Sequence, residues 1–274
     1  MRRLVLAAVM VATAHGALAA DMPDLPVLRG FVNDGPPANR TNWQGFYVGG
    51  QGAYGSSDMD FTNATRDITA KLLNRTTIEN EMQVSQWPVL GKTAVHGNGF
   101  GGFAGWNAQW DDAVIGVEAN YLHGAFGGTS TGSMERFQTL SDGYTHDVLN
   151  RGTAAMRISD MGSLRVRGGW AWNCVLPYAF GGLALGRADI ERTTFIFDHF
   201  VNQAAQPGFQ DLTFSTTVSS NQNSHWIWGY SLGAGMDVML IGGLFARGEF
   251  EYAKFAAPIN TSVATVRGGL GYKF

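Results

Sequence analysis

Nine charged residues in this chain stand among glycines and apolar residues with which they alternate: Glu118, Arg165, Arg167, Asp237, Arg247, Glu249, Glu251, Arg267 and Lys273. A spacing of two puts neighbouring members on one face of a strand. They are five cations and four anions. Charges gathered on a protected face persist only when paired and hydrogen-bonded, and this near balance of sign points to mutual pairing. The chemistry expected is an internal ion-pair network. A selective conduction path would instead show an excess of one sign along a wider lumen.

Catalysis and metal binding have weaker material. His123, His146, His199 and His225 fall at strand ends or in polar stretches and read as solvated. Ser231 follows His225 on one strand, on the same face but about 20 Å away at strand rise, too far for a nucleophile and its base. Asp198-His199 reads as an isolated pair on a loop. No histidine pair has metal spacing, so neither metal nor cofactor is expected. Gly97-Asn-Gly-Phe-Gly-Gly102 fits G-x-G-x-x-G. A strand follows it rather than the helix that a dinucleotide site requires, so these read as loop glycines.

The elements that must carry the charges are strands. In Leu164-Arg-Val-Arg-Gly-Gly-Trp-Ala-Trp172, Leu164, Val166, Trp170 and Trp172 oppose Arg165 and Arg167. Trp226, Trp228, Tyr230, Leu232, Met236 and Val238 share a face opposite glycines, Ser231 and Asp237. Leu244, Ala246, Phe250 and Tyr252 oppose Arg247, Glu249 and Glu251. At the C-terminus Val266, Leu270, Tyr272 and Phe274 oppose Thr265, Arg267 and Lys273. Such two-faced strands, the last closed by an aromatic, fit a transmembrane barrel. Leu270, Tyr272 and Phe274 are the expected C-terminal signal for the barrel-assembly machinery.

Eight strands are predicted, near 43–55, 97–110, 113–123, 163–173, 176–187, 226–239, 243–255 and 263–274. The segment at 176–187 is apolar on both faces, which leaves its phase open. Tight turns at Asp111-Asp112, around Asn173 to Val175 and around Leu240 to Gly242 alternate with long polar stretches at 56–96, 124–162 and 188–225. Short turns on one side and long loops on the other are the layout of an outer-membrane barrel. Phe195, Phe197, Phe200 and Phe209 in the third loop are expected to pack among the loops.

The first 19 residues read as a signal peptide: Arg2 and Arg3, an apolar core from Leu4 to Ala14, and the cleavage-site motif Ala17-Leu-Ala19. Residues 20–42 hold four of the eight prolines and read as an extended periplasmic linker. Charged residues are 15% of the chain, below the globular norm of about 25%, while 37 glycines and 12% aromatics suit lipid-facing strands with aromatic girdles. A formal net charge of −3 with no basic tract argues against a nucleic-acid partner. Cys174 is the one cysteine, so a disulfide framework is excluded. Alternation alone also describes a soluble barrel with an apolar interior. Large aromatics on the apolar face and glycine on the other favour lipid outside, with aromatics outward and glycine inward.

Several segments resemble the small outer-membrane β-barrel proteins of alphaproteobacteria, the opacity-like or porin-family group. They are Trp43-Gln-Gly-Phe-Tyr-Val-Gly-Gly50, Val166-Arg-Gly-Gly-Trp170, Leu176-Pro-Tyr178, Gly181-Gly-Leu-Ala-Leu-Gly186, Ala234-Gly-Met236, Glu249 to Tyr252 and the terminus from Val266. The resemblance implies an eight-stranded barrel in the outer membrane and no single activity. Together these readings give an all-β fold: an eight-stranded antiparallel up-and-down transmembrane β-barrel with long extracellular loops over residues 43–274. Its expected role is structural or surface interaction with at most limited small-solute permeability, and no enzymatic activity. The expected partners are outer-membrane lipid and lipopolysaccharide, the barrel-assembly machinery, and an extracellular ligand taken by the loops. The alternatives are a diffusion pore, a surface ligand-binding receptor and a lipid-modifying enzyme. The last needs a Ser/His or Glu/His cluster at the outer leaflet.

Overall fold

The computed structural model describes residues 41–202 and 210–274. The expected signal peptide, nearly all of the proline-rich segment and Phe209 lie outside them. Eight antiparallel strands close into a barrel in chain order, β8 pairing back on β1. They are β1 (Gly45–Asp60), β2 (Lys92–Trp110), β3 (Ala113–Thr139), β4 (Thr145–Trp170), β5 (Val175–Val201), β6 (Leu212–Ile241), β7 (Leu244–Ala256) and β8 (Asn260–Lys273). Three tight turns share the periplasmic end. Asp111, Asn173, Gly242 and Gly243 take positive φ there, the conformation that tight hairpins demand and that Asp, Asn and Gly tolerate best. No helix among the described residues is long and apolar enough to cross a membrane; the strands cross it. Phe46, Leu164, Val166, Trp170, Leu232, Phe250, Val266 and Leu270 all point outward and are exposed, the apolar face a bilayer requires.

The strands differ greatly in length. β3, β4, β5 and β6 have 27, 26, 27 and 30 residues, whereas β7, β8 and β1 have 13, 14 and 16. Two of the three expected loops are therefore largely strand. Residues 126–139 pair with 145–158, and 188–200 with 212–225. The inner face of β4 and β5 is buried here but carries His146, Asn150, Arg192, Thr194 and Asp198, and β6 is largely exposed on both faces, so the apolar–polar contrast that marks a half-buried strand is weak there. The Gly97–Gly102 run likewise lies in β2, not in a loop. Phe195, Phe197 and Phe200 are on β5.

At the level where the short strands end, the ladders shift register. The breaks fall between His123 and Phe126, between Ile158 and Asp160, and between Ala188 and Ile190. Bulges of this kind re-aim side chains. In β4 the inward residues are Met156 and Ile158 above the bulge, and Met161, Arg165 and Arg167 below it.

The remaining long stretch, 61–91, folds into two short helices, α1 (Arg66–Leu72) and α2 (Thr77–Met82), and a 3-10 turn at Val84–Gln86. Thr76 caps α2 by accepting from the Glu79 amide at 3.3 Å. Glu79 then accepts from the Ser85 amide and hydroxyl, which fixes the turn that follows. Leu73, Ile78, Met82, Val84 and Trp87 pack on Val148 and Ile196 of the extension. Arg192 of β5 donates to Asp67 and to the Ala64 carbonyl. The helices thus form a cap on the inner face of the protruding sheet.

Candidate functional site

The β4–β5 turn settles the open phase of the fifth strand. Antiparallel partners share a face, and Gly169 lies opposite Tyr178 and Arg167 opposite Phe180. Leu176, Tyr178 and Phe180 therefore point inward and are buried. They meet Trp43, Tyr47, Phe103 and Phe245 in an aromatic floor near the periplasmic end. This corrects the expectation of outward aromatics and inward glycines, because large rings occupy both faces. Inward glycines make the space. A Cβ at Gly233 would overlap the Phe180 ring, and one at Gly271 would overlap the Phe245 ring.

Against this floor the structure brings together eight of the nine charged residues. Arg165 reaches three carboxylates: Glu118, Glu249 at 2.7 Å and Glu251 at 3.0 Å. Arg167 contacts Asp237 at 2.7 Å and Glu118 at 3.3 Å. Arg247 contacts both Glu118 and Asp237 at 2.8 Å, and Arg267 meets Glu251 at 2.7 Å. Four guanidinium groups thus offset four carboxylates, and all eight residues are buried. Lys273 is not among them. Its ammonium group lies at the periplasmic mouth and donates to the backbone carbonyls of Gln44 and Phe274. The flexible stem at the end of the last strand reaches out of the lumen toward water.

The residues that complete the network were not singled out from sequence. Tyr47 donates to Glu118 at 2.7 Å and Tyr178 to Glu249 at 2.6 Å. Asn120 accepts from Arg267 at 2.8 Å and from Gln51 at 3.0 Å. Three guanidinium groups stack on rings: Arg167 on Tyr178 at 3.7 Å, Arg247 on Phe103 at 3.8 Å and Arg165 on Phe180 at 4.0 Å. Arginine suits such sites because its planar fork can stack and chelate at once. The missed signal was register: once the tight turn is counted out, Tyr178 and Phe180 must share the face of Arg165 and Arg167.

Above the charges lies an apolar layer that includes Leu122, Phe126, Met156, Ile158, Ile190, Ile227 and Phe255. At the border between the two, a void of about 10 Å³ adjoins Asn120, Glu251, Thr265 and Arg267, room for one water.

The histidines fall in different places. His146 is buried near the tip of the extension, with Nδ1 2.8 Å from Asp198 and Nε2 2.9 Å from Asp142. Asp198 thus pairs with His146 and not with its sequence neighbour His199, since the two side chains leave β5 on opposite faces. His146 is accordingly not the solvated loop residue expected. Burial pushes the Asp198 carboxyl above the usual carboxylate value. His123 Nδ1 lies 2.8 Å from Asp160 on the outward face, and the hydroxyls of Tyr121 and Ser159 donate to the same carboxylate. All three groups converge on Asp160, so neither hydroxyl is held by the histidine as a nucleophile would be. His225 is exposed and Ser231 is buried further along β6. Among the described residues no group of three or more His, Cys, Asp or Glu could hold a metal ion. Cys174 is exposed in the β4–β5 turn. Leu270, Tyr272 and Phe274 lie on the outward face of the β-barrel's closing strand.

The family described as "Outer membrane protein beta-barrel domain" matches residues 4–274. The 25 kDa outer-membrane immunogenic protein of Brucella ovis is 26% identical over 174 residues, 64% of this chain and 62% of that protein. The 22 kDa outer membrane protein of Rhizobium leguminosarum bv. viciae is 23% identical over 226 residues, 82% of this chain and 70% of that protein. This chain thus spans less than two thirds of the Brucella relative. Among solved structures, Ail of Yersinia pestis, seen with the heparin analogue sucrose octasulfate, aligns at 14% identity and a TM-score of 0.36, covering 84% of this chain and 99% of Ail. Neisserial surface protein A aligns at 13% identity and a TM-score of 0.34, covering 84% of this chain and 97% of its own. Eight strands closed in order, an outward apolar face and a family match along nearly the whole sequence lead to one assignment: this chain belongs to the outer-membrane β-barrel protein family and resides in the bacterial outer membrane.

Proposed function

We propose that the protein is a sealed membrane anchor whose working part is the extracellular extension, with a structural or surface-interaction role and no enzymatic activity. One observation carries this reading: the lumen is filled by four interlocked Arg and four carboxylates beneath an apolar layer. An ion crossing it would have to break several buried pairs and then enter a dry aliphatic zone. Each step costs several kcal/mol. Permeability to small solutes is limited accordingly. Its membrane partners are outer-membrane lipid and lipopolysaccharide, and the barrel-assembly machinery reads Leu270, Tyr272 and Phe274. An extracellular ligand binds the extension.

Single-channel conductance of protein purified from outer membranes tests the reading. Folding is verified beforehand by the heat-sensitive gel shift. A silent barrel is expected. Reproducible conductance steps that change with Arg165 or Glu249 substitution would establish a diffusion pore and overturn it.

A further inference from the structure

The turn between β3 and β4, residues 140–144, is fastened to the extension at two points. Ser141 donates its amide and hydroxyl to Glu81 of α2. The second point is a single imidazole. His146 stands on the capped face of β4 and is buried. Its Nδ1 lies 2.8 Å from Asp198 Oδ2 on β5, and its Nε2 lies 2.9 Å from Asp142 Oδ2 in the turn. Asp142 also accepts from the Tyr144 amide at 3.1 Å, which ties its carboxylate to the turn's backbone. The Phe200 ring lies 4.5 Å from the imidazole and the Tyr144 ring 6.5 Å.

This arrangement demands one proton beyond those of a neutral ring and two carboxylates. A neutral imidazole has one donor and one acceptor, and a carboxylate only accepts. Both contacts close if both ring nitrogens donate. They close equally if Asp198 is protonated and donates to Nδ1 while Nε2 donates to Asp142. Without that proton a nitrogen lone pair faces a carboxylate oxygen, and one contact must open.

Burial decides which one. The Asp198 side chain is 1% exposed, and its Oδ1 has no hydrogen-bond partner among the described residues. It cannot turn to water, so it keeps the ring N–H. The Asp142 side chain is 34% exposed and can exchange the ring for solvent. Burial also raises the Asp198 carboxyl above its usual value, which favours retention of the proton. The charged groups around the ring are acidic: Asp142 of the turn, Asp198 of β5, Asp147 on the outward face of β4, and Glu81 of α2 through Ser141. His199, opposite Asp147, leaves β5 on the outward face.

We propose that one proton held between His146 and Asp198 latches the β3–β4 turn onto β5, so that mild acid fastens the tip of the extension and its loss on alkalinisation releases it. The latch rests on the geometry of the ring. Its use in controlling surface contacts rests on the reading of the extension as the working part. A proton bound more tightly in the latched than in the released turn stabilises the latch at low pH, and that contribution is lost as pH rises past the point where the proton leaves.

The test is hydrogen–deuterium exchange on the protein purified from outer membranes, expressed as protection factors so that the intrinsic pH dependence of exchange cancels. It is run at about pH 5 and about pH 8, either side of the ordinary imidazole range. Protection of residues 140–144 is expected to fall about tenfold between the two, with the membrane strands unchanged. His146→Gln should abolish the response and His199→Gln should retain it. In Asp198→Asn the side-chain amide donates to a neutral ring, so the turn should stay protected at both values. All variants are first shown to be folded by the heat-sensitive gel shift. Equal protection at both values in the wild type overturns the latch. So does a response that survives His146→Gln, one that disappears with His199→Gln, or an Asp198→Asn turn that still loosens. Conductance on the same preparation separates the two readings. A silent barrel whose turn ignores pH overturns only the latch, whereas a conducting one overturns the sealed anchor.

Discussion

The membrane half and the extracellular half of this barrel are held together in different ways. In the membrane half all eight strands pair and the lumen holds an eight-membered ion cluster on an aromatic floor. In the extracellular half β7 and β8 have ended, the sheet is open, and an aliphatic cap joins short helices to β4 and β5. The solvent explains the difference. Hydrocarbon cannot satisfy a backbone N–H or C=O, so closure is compulsory there. Water satisfies an open edge, so above the membrane the sheet need not close, and apolar burial on one face suffices to order it.

Perturbing each half should separate them. The largest effect is expected from Arg165→Ala, which removes the guanidinium that Glu118, Glu249 and Glu251 share and leaves four buried carboxylates to three arginines. Loss of one member of a buried ion cluster costs about 3–5 kcal/mol, and a lowered temperature for the heat-sensitive gel shift measures it. A gel shift unchanged by this substitution would mean that the cluster does not stabilise the barrel. Next is Ile196→Ala, beneath the cap. A loss of about 2–4 kcal/mol is expected, confined to the extension: limited proteolysis should cut residues 61–91 faster while the gel shift stays put. If the whole barrel melts together, the two halves are one cooperative unit.

Thr76→Ala removes the α2 cap and is expected to cost about 1 kcal/mol, read as faster amide exchange in Thr77–Met82 alone. The smallest effect concerns pH. Asp198 is held above its usual 3.8 by burial, so the folded state binds a proton there more tightly than the unfolded chain. That contribution is full below the unfolded value and is lost as pH rises through the folded one. Asp198→Asn should flatten this part of the extension's stability profile above pH 4 and leave the barrel's profile unaltered. A barrel profile that changes in step would again join the halves.

The same division governs what could be read from the sequence. Arg165, Arg167, Arg247, Glu249 and Glu251 alternate with residues that lipid requires to be apolar, so their strands and faces were legible. Tyr178 and Phe180 were not, because both faces of that strand are apolar and hydropathy cannot set the phase. The strand character of residues 212–225 was hidden for the opposite reason: Thr and Ser occupy both faces, and both are largely exposed. In β4 a trace of alternation survives above the membrane, with Val148, Ala154, Met156 and Ile158 buried in turn. The pairing of His146 with Asp198 spans 52 residues of sequence and depends on the β4–β5 register, which no local spacing encodes.

The bulges bear on how such a chain can change over evolutionary time. A strand that ran unbroken from periplasm to tip would transmit any one-residue insertion down its whole length and turn its lipid face inward. The break beside Ser159 uncouples the two stretches of β4, since the inward parity is set separately on either side. The exposed sheet can therefore lengthen, shorten or be exchanged while the part that lipid inspects keeps its phase, so a cell-surface protein can alter its outward appearance without re-solving the problem of insertion.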